Sequence, residues 1–303
     1  MFSILIPTWN NLACLQLCIA SIKKHSAHEH EIIVHVNDGE GADGTLAWVR
    51  AQGLKHTHAQ KNAGVCLSVN YLAAQASRDW LLYLNDDMVC CPGWDSALID
   101  ATRAAPGNLA MFFATMIEPR DTGNPLVIAQ DFGRTPAEFD EARMLANYNA
   151  QPRADILGRG SQPTLVHRMW WNIVGGYSIE FGPGMSSDDD LLMKFWVVGC
   201  RTFRIVGASR VYHFSEKSTR RVRRNRGGRT FVMKWGITQQ EFHRHFLTKS
   251  GAPGAAADAD LQHRLPHATL LGKLKRLGYG LCDYPLGDLA AWDPTPGRNL
   301  SKP

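Results

Sequence analysis

Short runs of large apolar residues recur through the first hundred positions, and each is separated from the next by a stretch with helical spacing. SILIP (3–7), EIIVHV (31–36) and DWLLYL (79–84) are almost continuously apolar. Between them, Leu12, Leu15, Ile19 and Ile22 recur at helical intervals, Thr45–Gln52 reads as a short helix stopped by Gly53, and 65–77 reads as another. A weak strand is expected at 55–59. Strands that are apolar on both faces belong to a parallel sheet covered on both sides, and strand–helix alternation is how such a sheet is wound. The expectation is therefore an α/β chain with a Rossmann-like, mostly parallel central sheet flanked by helices.

The pattern loosens after Trp94. A helix (95–104) and a strand, LAMFFATMI (109–117), are expected, and 118–165 is too rich in turn residues to divide. VHRMWWNIVGGY (166–177) reads as a helix ended by two glycines, DDDLLMKFWVVGC (188–200) as another, and RTFRIVG (201–207) as a strand. GAPGAAADAD (251–260) reads as a linker, and the last 40 residues as a marginal helix followed by a Pro/Gly-rich tail.

Two acidic clusters stand out. LNDD places Asn85, Asp86 and Asp87 directly after an apolar strand, and in open α/β sheets ligands bind beyond the carboxyl ends of the strands. Turn and cap chemistry also favours Asn and Asp there. The alternative is a hard divalent cation, Mg²⁺ or Mn²⁺, which takes carboxylate oxygens together with substrate phosphates. The second cluster, Asp188-Asp189-Asp190, opens a helix, where the macrodipole favours acids. Three adjacent acids exceed that need, and their mutual repulsion can raise a pKa. His213 ends a strand 25 positions after Asp188 and is a candidate partner for a carboxylate metal site.

GEGADG (39–44) matches G-x-G-x-x-G between a strand and a helix. Asp38 and Asp43 would repel a pyrophosphate, and no acid lies between 44 and 79 to hold a ribose. A glycine-rich turn fits better than a dinucleotide site, with Asp38 as a ligand contact.

The formal charge of +5 is local. Seven of the 33 basic residues lie between Lys217 and Arg229; without them 26 bases face 28 acids. No aromatic lies between 215 and 230, which argues against nucleic acid as the partner of this segment. A solvated loop is one reading. A lid closing over a diphosphate, with Arg220, Arg221 and Arg223 nearest, is the other. LLGKLKRLGYGL (270–281) is apolar and basic; packing on the catalytic domain is preferred to peripheral membrane contact. Seven cysteines without a CxxC pair predict reduced thiols and a cytoplasmic chain, and no apolar run approaches 18 residues.

Taken in order, five motifs resemble family 2 glycosyltransferases of the GT-A fold: ILIPTWN (4–10), VNDGEGADGT (36–45), NAGVCLSVN (62–70), LYLNDDM (82–88), and GGYSIEF with SSDDDL (175–191). The resemblance spans about residues 1–245. It implies a nucleoside-diphosphate sugar donor, a saccharide or other hydroxyl acceptor, a divalent cation (Mn²⁺ or Mg²⁺) and inversion at the anomeric carbon. It implies a donor half over 1–110, an acceptor half over 111–247, and a linker with a C-terminal extension over 248–303. Carried over by position, Pro7, Thr8 and Asn10 border the nucleotide, Asp38 contacts base or ribose, and Asn62 and Asn70 lie along the donor pocket. Asp86 is near ribose or metal, Asp87 is the metal ligand with Asn85 beside it, Asp188 is the base with Asp189 and Asp190 as its rivals, and His213 completes the metal site. Asn37 stands where the family has an acid, and Ser187 where it has Glu. A sugar nucleotidyltransferase is the runner-up, disfavoured because PTWNNLAC offers no base to hold a triphosphate.

Overall fold

The computed structural model describes residues 1–37, 43–215, 225–245 and 268–281. Asp38, Arg220, Arg221, Arg223 and the expected linker at 251–260 lie outside them.

One mixed sheet runs through the described residues. Its strands are β1 (Phe2–Thr8), β2 (Glu31–Val36), β3 (Lys55–His58), β4 (Trp80–Tyr83), β5 (Met88–Cys90), β6 (Ala110–Glu118), β7 (Val127–Ala129), β8 (Ile156–Leu157), β9 (Thr164–His167) and β10 (Thr202–His213). The main path is β3-β2-β1-β4-β9-β6-β10-β5. β1 to β4 are mutually parallel, β6 and β10 are parallel to each other, and β9 is antiparallel to its neighbours β4 and β6.

The near-continuous apolar strands are explained by burial on both faces. Phe2, Ile4, Ile6, Val34 and Val36 pack on one face with Leu15, Cys18, Ile19 and Ile22 of α1 (Leu12–His25) and Leu98 of α4 (Trp94–Ala104). Leu5, Ile33, Leu81 and Tyr83 point the other way, against Cys66, Val69 and Leu72 of α3 (Gly64–Gln75) and Leu191 and Leu192 of α7 (Ser187–Val197). Because α1 and α3 cover opposite faces, the chain leaves β1 and enters β4 from opposite sides. The carboxyl ends of β1 and β4 therefore flank a topological switch point, where a crevice opens.

The remaining helices are α2 (Thr45–Ala51), α5 (Glu141–Asn147), α6 (Arg168–Val174), α8 (Gly227–Trp235), α9 (Gln239–His245) and α10 (Leu270–Leu281). The expected helix over 166–177 is corrected: Thr164–His167 is a strand, and α6 starts only at Arg168. β9 and α6 form one apolar run with no Gly or Pro between them; the break is made by the His167 side chain, which accepts from the Met169 N–H at 3.2 Å as an N-cap. The strand expected at 201–207 continues to His213 through an irregularity between Val206 and Arg210. β5, three residues long, was not legible.

Candidate active site

A cavity of about 530 Å³ opens at the switch point, within the range of small-ligand sites. Pro7 and Thr8 from the end of β1, Asn37 from the end of β2, and Asn85, Asp86 and Asp87 after β4 line it. Thr8 is buried, and its Oγ1 has no hydrogen-bond partner among the described residues. Asn37 Oδ1 accepts from Ala63 N at 2.8 Å and Ser68 Oγ at 3.0 Å. An acceptor so engaged leaves the amide NH₂ as what Asn37 offers to a ligand. Asn62 turns its Oδ1 onto Gly64 N at 2.8 Å, shaping the entry to α3, and also lines the cavity. Asp86 is steadied by Asn11 Nδ2 at 3.1 Å.

Two expected donor contacts stand elsewhere. Asn10 turns the backbone with φ 47° and is not a lining residue. Asn70 is also absent from the lining; it clasps the Tyr177 main chain, accepting from its N–H at 2.9 Å and donating to its carbonyl at 2.8 Å. Asn70→Ala should lower kcat about tenfold through Tyr177 while nucleotide affinity stays unchanged, at a stability loss of about 1–3 kcal/mol. Steady-state kinetics beside calorimetric nucleotide binding checks this.

Asp87 and His213 meet although 126 positions separate them in the chain. β5 and β10 pair antiparallel with Met88 opposite His213, and Phe214 N donates to the Asp87 carbonyl at 3.1 Å. His213 Nε2 lies 3.3 Å from Asp87 Oδ2, while its Nδ1 lies 2.8 Å from Glu118 Oε1. Both ring nitrogens thus face carboxylates, and a neutral imidazole has only one proton for them. Burial alone would lower the His213 pKa; Asp87 and Glu118 outweigh it and raise it to about 10. Glu118 is in turn held below the usual carboxylate range, the hydrogen bond from His213 overcoming its burial.

This donor set fits a hard divalent cation. A cation that displaced the Nε2 proton would find Nε2 and the Asp87 carboxylate side by side, with Nδ1–H kept on Glu118, the carboxylate–histidine arrangement of metal sites. Among the described residues no group of three or more His, Cys, Asp or Glu is placed to hold a metal ion by itself. A cation that shares its shell with substrate phosphates and water needs only one or two protein ligands. Glu118 escaped sequence reading, although its signal matches that of Asp87: an acid ending an apolar strand.

The three acids of α7 separate. Asp188 alone lines the cavity; its Oδ1 accepts from Tyr177 Oη at 2.8 Å and Gln162 Nε2 at 2.8 Å. Burial raises the Asp188 pKa; the Tyr177 hydrogen bond works against this, and the neighbouring Asp189 adds to it. Asp189 is buried on Arg159 (2.8 Å), His243 (2.6 Å) and Gln239. Its pKa falls despite burial, because His243 and Arg159 stabilise the charge. Asp190 is fully buried and is met by Ser178 Oγ (2.6 Å), Trp235 Nε1 (2.8 Å) and Lys234 Nζ (2.9 Å). Asp189 and Asp190, expected as rivals for the base, face away from the cavity. Tyr177 and Gln162, which bond to Asp188, were given no role: Tyr177 sat in the GGYSIEF motif without one, and Gln162 in the undivided stretch.

The loop carrying Pro183 closes on the start of α3 at Gly64. Its φ is +73°, and an added Cβ would lie 2.8 Å from Pro183 Cα, so only glycine fits here; Val65 N donates to the Pro183 carbonyl at 2.8 Å.

This assembly, a nucleotide-sized cavity at the switch point of an open sheet with paired acids at a strand end and a carboxylate opposite, defines a transferase of the GT-A class. The family model for glycosyl transferase family 2 matches residues 3–152. A PGL/p-HBAD biosynthesis glycosyltransferase of Mycobacterium tuberculosis is 31% identical over 219 residues, covering 62% of this chain and 79% of that protein, and its counterpart in Mycobacterium bovis matches equally. The chain belongs to glycosyltransferase family 2. Among solved structures, Staphylococcus aureus TarS (residues 1–349) superposes with a TM-score of 0.51 at 15% identity, over 70% of this chain and 60% of that one. GalNAc-T7, solved with UDP, GalNAc and Mn²⁺, gives 0.57 at 14% identity, over 94% of this chain and 58% of that one. The chain thus spans about three fifths of these two structures, and the likeness shows the GT-A fold.

Proposed function

We propose that this glycosyltransferase moves a sugar from a nucleoside-diphosphate donor to an acceptor hydroxyl with inversion, using Asp188 as the base and a divalent cation at Asp87 and His213. The observation that carries the reading is the opposition, across one cavity, of Asp188 and the Asp87–His213 pair. Relatives of the fold bind UDP, which supports the donor class.

Thr8 and Asn62 sit where a nucleoside would lie, and Asn37 presents amide protons to it. A bound cation would neutralise the charge that develops on the departing diphosphate. Asp188 Oδ1 is engaged by Tyr177 and Gln162, so Oδ2 is the oxygen turned to the acceptor hydroxyl. A raised pKa makes Asp188 a stronger base than an ordinary carboxylate. A single base opposite the leaving group gives one in-line displacement, hence inversion. Product of retained configuration would refute that step.

The reading is tested by thermal shift with UDP, GDP, CDP and dTDP, with and without Mn²⁺. At 100 times its Kd a ligand stabilises by about 2.7 kcal/mol, a shift of a few degrees in a chain this size. One nucleotide is expected to stabilise only with metal, and Asp87→Ala to abolish the effect. Stabilisation by none of them, or equal stabilisation without metal, overturns the reading.

A further inference from the structure

The helix α10 is amphipathic in an inverted sense: its small and polar side is buried and its leucine side faces out. Gly272 lies against the backbone of Gly236, where an added Cβ would collide with the carbonyl oxygen. Arg276 donates to the carbonyls of Met233 (2.6 Å) and Lys234 (3.1 Å), closing the end of α8, and the Tyr279 ring lies 5.3 Å beneath the Arg229 guanidinium. On the opposite side Leu270, Leu274, Leu277 and Leu281 recur at i, i+4, i+7 and i+11 and are 75%, 59%, 62% and 80% exposed. At about 100° per residue, exposed Lys273 stands beside this row, and exposed Lys275 stands on its other side, turned toward the buried face. No acid occurs between 268 and 281.

The other face of the same helix borders a cleft of about 670 Å³, lined by Arg226, Arg229 and Lys275 and by no acid among the described residues. Met185 lines both this cleft and the catalytic cavity. Among the described residues no helix is long and apolar enough to cross a membrane. A twelve-residue helix with a leucine row and flanking lysines is built to lie in a lipid interface.

We propose that α10 docks the enzyme on an anionic membrane surface. The leucine row enters the interface, and Lys273 and Lys275 meet anionic headgroups. Docking does not rest on the proposed catalytic reading.

The test is flotation of the full chain with phosphatidylcholine vesicles, with and without 30% phosphatidylglycerol. Expected is binding to the anionic vesicles that weakens in high salt. Leu274→Ser/Leu277→Ser should bind roughly tenfold more weakly or worse, from the loss of apolar transfer. Lys273→Gln/Lys275→Gln should lose roughly fivefold for each lysine. Both variants should keep the wild-type Tm and nucleotide response. Wild-type protein that does not float with anionic vesicles overturns the proposal, as does undiminished flotation of the leucine variant. A fall of several degrees in that variant's Tm would assign the row to the chain's own packing, and a wild-type dimer that it dissociates would assign it to a second copy; either overturns membrane docking.

Discussion

With Asp188 as the proposed base, Asp188→Asn should lower kcat by about a thousandfold and leave nucleotide affinity and Tm at wild-type values. General-base catalysis contributes about 10²–10⁴-fold, and Asn keeps the shape and the contacts to Tyr177 and Gln162 while losing basicity. The wild-type profile adds a sign. The base works deprotonated and its pKa is raised, so kcat/KM rises with pH along a limb displaced upward from the ordinary carboxylate range. Tyr177 donates to the ionised form and so lowers the Asp188 pKa. Tyr177→Phe should therefore move the acid limb to still higher pH. A pH–rate series on the two enzymes decides it: a limb unmoved by Tyr177→Phe removes Asp188 from the base role.

Asp190→Ala has the opposite signature. Its carboxylate is fully buried and answers Lys234, Ser178 and Trp235. Removing one partner of a buried pair costs about 3–5 kcal/mol, because the other charge stays behind. Lys234 keeps Glu180 at 2.8 Å, which places the loss near the lower bound. At about 2–4 °C per kcal/mol, Tm falls by about 6–12 °C. The activity that survives below the new Tm should stay within severalfold of wild type. Calorimetry checks the first statement and kinetics at low temperature the second. If Asp190→Ala melts like the wild type, the buried network around Lys234 contributes little.

The contrast between Asp188 and Asp190 shows where sequence stops. Adjacency told that the three acids open one helix, but not which way each points. Successive helical positions are turned by about 100°, so neighbours must face different surroundings. One meets the cavity, one an Arg–His–Gln cluster, one the Lys234 network. The sheet was legible wherever both faces are buried, since β1, β2 and β4 write that burial as continuous apolar runs. β5 and β9 were not. Three residues carry no period, and TLVH runs into WWNIV without punctuation. Asn70 shows a related limit: its position on α3 was readable, while its bonds to a loop 107 positions on are a tertiary contact.

The pairing of β10 with β5 has a consequence for the life of the chain. Asp87 is synthesised early and His213 late, and the ladder that unites them includes the last strand of the sheet. That strand also separates β6 from β5. A growing chain therefore cannot set a histidine beside Asp87 until synthesis has passed His213, and the proposed catalytic arrangement is complete only when that late strand is made.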